Sequence, residues 1–219
     1  MGLSKLWQHI TKSKASYPLL IGFSCLLLFA ITSLPSSQNA QSDADPAPRS
    51  SGVQLPTDFQ NTLVHYATVE RRDGTIRDVY INAEAIEAVR NRGFLPNNTI
   101  MVIEGFDSQL DADGQFVTDD NGHFIKGEPL EMIHVAHQNA AWTDADYVDD
   151  TRLANWNFGS FSAETLDPFV EPIAPCFQCH SPHGGPFTLN TLRTYSRSGD
   201  VQYVYCDQIG RSPCAFMTD

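Results

Sequence analysis

Thr99-Ile100-Met101-Val102-Ile103-Glu104-Gly105-Phe106 is the stretch that decides the fold of this 219-residue chain. Apolar and β-branched residues dominate it, which is typical of a β-strand. Further short runs of this kind lie on both sides of it, and Asp-Gly or Asn-Gly turns separate several of them. The pattern therefore predicts an α+β fold, in which an antiparallel sheet is packed with a few helices and an apolar helix precedes the sheet at the N-terminus.

The other elements are predicted from their periodicity. The apolar residues Phe59, Leu63 and Tyr66 have helical spacing and predict a helix over residues 55–69. A second helix is predicted over residues 83–92, where Gly93 would end it. Further strands are predicted at residues 76–81, 115–118, 123–126, 130–135, 155–161 and 201–205.

The N-terminus is predicted to carry a targeting signal rather than a buried core helix. Three lysines precede residues 17–34, a run of uncharged and mostly apolar residues whose length suits either a signal peptide or a short membrane anchor. Both interpretations place the rest of the chain outside the cytoplasm, so we expect a periplasmic, secreted or membrane-anchored protein. Residues 1–34 are thus assigned to the signal or anchor, 35–53 to a disordered linker, and 54–219 to one domain.

The charge of the chain restricts its partners. The net charge is −12, and all 26 acidic residues follow the apolar run. Such a surface argues against nucleic acid or anionic lipid as a partner. It would suit a basic redox partner, although an acidic surface also serves solubility alone.

Cys176-Phe177-Gln178-Cys179-His180 carries the chemistry, because C-x-x-C-H is the attachment motif of a c-type haem. Two thiols three positions apart reach the vinyl groups of one porphyrin, and His180 then supplies the proximal imidazole to the iron. A redox C-x-x-C or half a zinc site are the alternatives. A second metal-binding pair is lacking, however, because Cys206 and Cys214 are too far apart in sequence for a zinc knuckle. We therefore predict one covalent haem c.

Two other features have simpler explanations than metal binding. Cys206 and Cys214 could close a small disulfide loop in an oxidising compartment. The Asp-rich residues 107–122 do not match the EF-hand pattern, and turns between short strands explain them better.

The chain resembles the cytochrome P-460 family, which includes the β-sheet cytochromes c′. The order of several landmarks before a late haem motif carries this resemblance, which covers about residues 55–205. The landmarks are residues 76–83, 94–104, Gly127, Leu130, 156–158 and 176–180. The resemblance implies a sheet packed with helices, a homodimer, and a five-coordinate haem with His180 proximal and the distal face open to small ligands.

Members of this family differ at the distal site. Cytochromes P-460 carry a lysine joined covalently to the porphyrin and act on hydroxylamine, whereas the β-sheet cytochromes c′ lack that bond and bind nitric oxide. Lys126 is the only lysine of the predicted domain, so it is the candidate for the cross-link. A solvated lysine beside a hairpin is the ordinary alternative. Glu104 is a candidate proton acceptor for N–H or O–H chemistry, or else a carboxylate at a strand end.

Two functions remain open from the sequence. The first is an open iron site that binds or redox-processes nitric oxide or hydroxylamine, with an apolar cap as one role for Phe94, Phe106 and Phe124. The second is a membrane-tethered electron-transfer cytochrome with a sixth iron ligand. The candidate sixth ligands are Met101, Met132, His134 and His137, of which Met132 and His134 share one face of a strand. Whether the protein is an enzyme, an oxidoreductase, stays open.

Overall fold

The computed structural model describes residues 51–147, 152–169, 174–180 and 189–207, except for the side chains at 174, 178 and 179. These residues all belong to one compact unit that spans residues 45–219. The predicted signal or anchor and most of the predicted linker lie outside the described residues. Among the helices that the structure describes, none is long and apolar enough to cross a membrane.

The described elements alternate strands with short helices. In chain order they are α1 (Phe59–Thr62), β1 (Val64–Arg71), β2 (Thr75–Ile81), α2 (Ala83–Arg92), β3 (Ile100–Ser108), β4 (Lys126–Gln138), β5 (Trp156–Ser162), β6 (Pro168–Phe169), α3 (Ala174–His180), α4 (Leu189–Ser198) and β7 (Gln202–Cys206). A 3-10 turn at Asp144–Asp146 lies between β4 and β5.

The seven strands form one sheet with the order β6-β5-β4-β3-β2-β1-β7. Neighbouring strands are antiparallel except for β1 and β7, which pair in parallel. The predicted α+β class is therefore confirmed, with a sheet that is mixed at one edge. The quoted stretch around β3 lies in the middle of this sheet, between β2 and β4.

Each face of the sheet has its own apolar cluster, because successive side chains of a strand point to opposite sides. We call one side the α3 face; its cluster includes Met101, Phe158, Phe177 and Leu192, with helices α2, α3 and α4 packed there. We call the other side the α1 face; its cluster is Val53, Phe59, Tyr80, Val102, Ile133, Val135 and Phe161.

The predicted helix over residues 55–69 is wrong. Only α1 is helical there, and β1 replaces the rest, paired on one side with β2 and on the other with β7. A register shift between His65 and Ala67 interrupts the alternation of the strand, so that Tyr66 and Ala67 are both fully buried in the cluster of the α3 face. The three apolar residues that predicted the helix are divided among elements: Phe59 lies in α1, Leu63 follows it, and Tyr66 lies in β1.

The remaining elements agree with the prediction in part. Helix α2 begins and ends at the predicted residues, β2 matches closely, and β5 and β7 are each shifted by one residue. Strand β4 is much longer than predicted, and α4 was not predicted. Of the predicted hairpin at residues 115–126, the structure has one isolated bridge, between Thr118 and Phe124, while Phe116 pairs with Leu110, which precedes the predicted hairpin.

The Asp-rich residues form turns, as predicted. Asp111 Oδ1 accepts hydrogen bonds from the backbone N–H groups of Asp113 and Gln115. Asp119 Oδ1 does the same for Asn121 and His123. Within the described ranges, no group of three or more His, Cys, Asp and Glu side chains is arranged to hold a metal ion.

Candidate functional site

Helix α3 contains the C-x-x-C-H motif and is fixed to the sheet by Phe177. The Phe177 side chain is 1% exposed. Its ring meets the ring of Phe158 edge-on, with centroids 4.9 Å apart, and lies 6.4 Å from that of Tyr147. Burial of a phenylalanine in this way supplies much of the free energy that holds a short helix in place.

Cys176 and His180 lie on the same side of α3, because residues four positions apart are neighbours on a helix surface. Cys176 is half-buried against the cluster of the α3 face. The imidazole of His180 is half-buried, and its centroid lies 4.8 Å from that of Phe158. A cysteine and a histidine on one side of a helix fit a covalently held haem, since their side chains would supply one thioether and one iron ligand.

The described strand residues on the α3 face include apolar side chains and one polar pair. Ile103 and Ala136 pack against the cluster that contains Phe158. His134 of β4 lies opposite Ile103 of β3, and the Nδ1 of His134 is 3.0 Å from the hydroxyl of Ser160 on β5. The structure therefore places one histidine of the sheet on the face that carries α3.

The four candidate sixth ligands divide between the two faces. Met101 is buried in the cluster of the α3 face. Met132 shares that face with His134, as predicted, because the two residues are two positions apart in β4. His137 lies instead on the α1 face, opposite Ile100, where burial lowers the pKa of its imidazole and its ring meets Trp142 edge-on at 5.1 Å.

Glu104 lies on the α1 face, next to Val102 and away from α3. Gln60 Nε2 donates a 2.7 Å hydrogen bond to one carboxylate oxygen of Glu104, and the Tyr80 hydroxyl donates a 3.3 Å bond to the other. Burial, together with the charges of Asp78 and Glu104, raises the pKa of Tyr80 well above its usual value. The structure does not bring Glu104 and the haem motif together.

Lys126 also belongs to the α1 face. Its ammonium group pairs with the carboxylate of Asp78 and lies 4.9 Å from the centre of the Phe106 ring. Asp78 also accepts a 2.9 Å hydrogen bond from Thr68 Oγ1, and His65 Nε2 is 3.3 Å away. Burial alone would raise the pKa of Asp78, but hydrogen bonds and attraction from His65 and Lys126 outweigh it and lower that pKa.

The three phenylalanines considered for an apolar cap are not brought together. Phe106 lies under Lys126, and the Phe124 ring packs against Phe116 at 5.2 Å. Phe94 follows α2 and is 53% exposed.

Sequence reasoning missed the residues that position the motif. Phe177 occupies a variable position of C-x-x-C-H, so the motif itself carries no signal for its burial. Phe158 and Ser160 were recognisable as one side of the alternating stretch 155–161, but not as neighbours of α3. Cys206 is disulfide-bonded. The predicted partner, Cys214, lies outside the described residues.

Comparison with known proteins identifies the family. The family model for cytochrome P460 matches residues 56–186, which include strands β1 to β6 and the C-x-x-C-H motif. No curated protein matches the chain. Because the matched residues make up more than half of the chain and include the motif on α3, the protein belongs to the cytochrome P460 family and is a haem protein.

Proposed function

We propose that the protein holds one haem c covalently through Cys176 and Cys179, with His180 as the proximal ligand, and binds small nitrogen species at an open iron site. The observation that carries this proposal is the placement of Cys176 and His180 on one side of helix α3. This helix packs against an apolar cluster of the sheet through the buried side chain of Phe177. Haem iron supplies ligand binding and one-electron redox chemistry, and the protein sets its ligation, access and surroundings.

Nitric oxide is the preferred ligand in this proposal. The wall beside α3 is largely apolar, which suits a small neutral molecule more than a charged one. Lys126, the candidate for a cross-link to the porphyrin, is engaged with Asp78 on the other face of the sheet. This engagement favours the type of family member that binds nitric oxide without a cross-link over the type that oxidises hydroxylamine.

We further propose that the haem domain is exported. The basic start and the apolar run at residues 17–34 support export. A homodimer, which the family resemblance implies, is part of the same proposal and is testable by light scattering.

A ferrous absorption spectrum of the purified protein, recorded with and without nitric oxide, tests the open iron site. We expect a broad high-spin spectrum that changes on addition of nitric oxide, and an intact mass with one haem added. Sharp low-spin α and β bands without added ligand would contradict the proposal.

The variant Lys126→Met tests the cross-link in the same experiment. Its spectrum should equal that of the unaltered protein, because the side chain lies on the α1 face. Lys126→Arg, which keeps the charge beside Asp78, is the matched control for any loss of folding. A Soret band that moves in both variants would instead assign the cross-link to Lys126.

Electron transfer is the second candidate function, and the position of His134 and Met132 on the α3 face favours it as the alternative. Either side chain could complete a six-coordinate iron. The low-spin spectrum that contradicts the open site would support this function.

A further inference from the structure

Four of the seven exposed large apolar residues that the structure describes lie in two neighbouring segments, residues 109–125 and strand β7. They are between 42% and 60% exposed. Apolar residues scattered singly are ordinary on a protein surface, whereas a contiguous group marks a site of interaction. We call this group the β7 surface; its members are Leu110, Phe116, Tyr203 and Tyr205.

The first half of the β7 surface is formed within residues 109–125. Leu110 lies opposite Phe116 in an isolated strand bridge. The Phe116 ring packs against that of Phe124 with centroids 5.2 Å apart, and the backbone N–H of Phe124 donates a 2.8 Å hydrogen bond to Oε1 of Glu70 on β1. This hydrogen bond fastens the segment to the sheet beside β1.

Strand β7, at the edge of the described sheet, supplies the second half. The ring of His123 stacks on that of Tyr203 with centroids 3.8 Å apart, and His123 Nδ1 is 3.4 Å from Glu70 Oε1. Tyr205 points to the same side of β7 as Tyr203, because the two residues are two positions apart. Tyr205 is also the partner of Glu70 in the parallel pairing of β1 with β7. The two halves therefore meet at Glu70 and His123.

The charge around the β7 surface is negative. Residues 109–125 contain no lysine or arginine, and β7 contains no charged residue. Arg72 and Asp207, beside the end of β7, form an exposed ion pair that adds no net charge. The exposed acidic residues of the segment are Asp111, Asp113, Asp119 and Asp120.

We propose that the β7 surface binds a basic protein, whose arginine or lysine side chains lie over the tyrosine rings and beside the aspartates. A cation over a tyrosine ring is attracted by its π-system, and the aspartates add charge complementarity. A second copy of this chain would bring the same aspartates against this surface, and an anionic membrane would also be repelled. The negative charge therefore favours a basic partner over both.

Three short synthetic peptides serve as probes of the haem-loaded, full-length protein. The first alternates arginine with leucine, the second arginine with serine, and the third glutamate with leucine. Fluorescence anisotropy of the labelled peptides at about 0.1 M salt measures each Kd. We expect the arginine–leucine peptide to bind about tenfold more tightly than the other two, because it alone offers both the charge and the apolar contact.

Substitutions of exposed residues test the position of the site. Leu110→Ser and Tyr205→Ser should each weaken binding of the arginine–leucine peptide about three- to tenfold, because each removes apolar contact area. Leu166→Ser is the matched control, since Leu166 is 52% exposed between β5 and β6, at the other edge of the sheet, and its loss should leave the Kd unchanged. Far-UV circular dichroism and haem content verify that each variant is folded and loaded.

A charge variant completes the set. The double substitution of Asp113→Asn with Asp120→Asn should weaken binding of both arginine peptides and reduce its dependence on salt. Glu164→Gln with Asp167→Asn is the matched control, because both side chains are exposed near Leu166 and their loss removes the same charge from the other edge. Equal effects of the two double variants would assign the attraction to the overall charge and overturn the proposal.

Two further results would also overturn it. The first is that neither arginine peptide binds, or that Leu110→Ser and Tyr205→Ser bind the arginine–leucine peptide like the unaltered protein. The second comes from light scattering: if the unaltered protein is a dimer and Tyr205→Ser is a monomer, a second copy occupies the β7 surface. We expect the oligomeric state to be the same in all variants. None of these measurements involves the iron, so the proposed function is tested separately.

Discussion

Asp78 shows how single residues of the α1 face depend on partners from several elements. Its carboxylate is 3% exposed and is held by Thr68 from β1 and Lys126 from β4. His65 of β1 also faces it. A buried carboxylate is tolerated only with such partners, because its burial without them would cost several kcal/mol. These partners were not recognisable from the sequence, because Asp78, Thr68 and Lys126 belong to three different strands and meet only in the folded sheet.

The stability of the protein should fall in acid because of Asp78. Its pKa is lowered in the folded state, so its contribution to stability is present above the ordinary pKa of an aspartate, about 3.9, and is lost as the pH falls through the folded value. We expect Asp78→Asn to lower the free energy of unfolding at pH 7 by about 1–3 kcal/mol and to flatten its dependence on pH below about pH 4.

Urea unfolding between pH 3 and pH 7 measures this effect. Asp144→Asn is the matched control, because the Asp144 side chain is 99% exposed and its loss should change stability by at most about 0.5 kcal/mol. An Asp78→Asn variant with an unchanged pH profile would show that the carboxylate is not held in this ionised state.

Helices and strands were predicted correctly from the sequence where local residues determine them. Helix α2 begins after Asn82 and ends at Gly93, whose φ of 79° lies in the left-handed region that glycine adopts easily. Strand β3 was equally clear, because its apolar run is long and central. Strand β1 was not, because its bulge and its two neighbours in the sheet are decided by distant residues.

Gly93 should be the main determinant of the end of α2. A Cβ added at this residue would meet nothing within 4 Å, so Gly93→Ala should lose about 1–2 kcal/mol of stability from backbone strain alone. Gly93→Asn, which tolerates the left-handed conformation, is the control and should lose less. Chemical denaturation of both variants measures the difference, and an equal loss in the two would argue against strain as the cause.

At the scale of the whole molecule, the position of helix α3 on the sheet is decided by tertiary contacts. The sequence predicted the α+β class, the motif and the family, since each rests on local residues or on their order along the chain. It could not predict that Glu104 and Lys126 lie on the face opposite α3. That distinction depends on which side of each strand the helices cover, and a single sequence with alternating residues leaves this open.

The disulfide at Cys206 should contribute to the stability of the whole domain, because it tethers the last described strand. We expect a thiol reductant to lower the free energy of unfolding by about 2–4 kcal/mol. Cys206→Ser should show the same loss and no further response to reductant. A reductant effect of equal size in Cys206→Ser would assign the loss to another bond.

The parallel pairing of β1 with β7 has a consequence for the order of folding during biogenesis. Strand β1 can complete its pairing only after β7, the last described strand, has been synthesised. Helix α3 lies within the long chain loop that this pairing closes. Closure of a long loop is entropically costly and slows folding. If haem is attached covalently, as proposed, we expect the attachment to take place before β7 has paired with β1. Pulse-labelling of the Cys206 thiol during maturation would report that order.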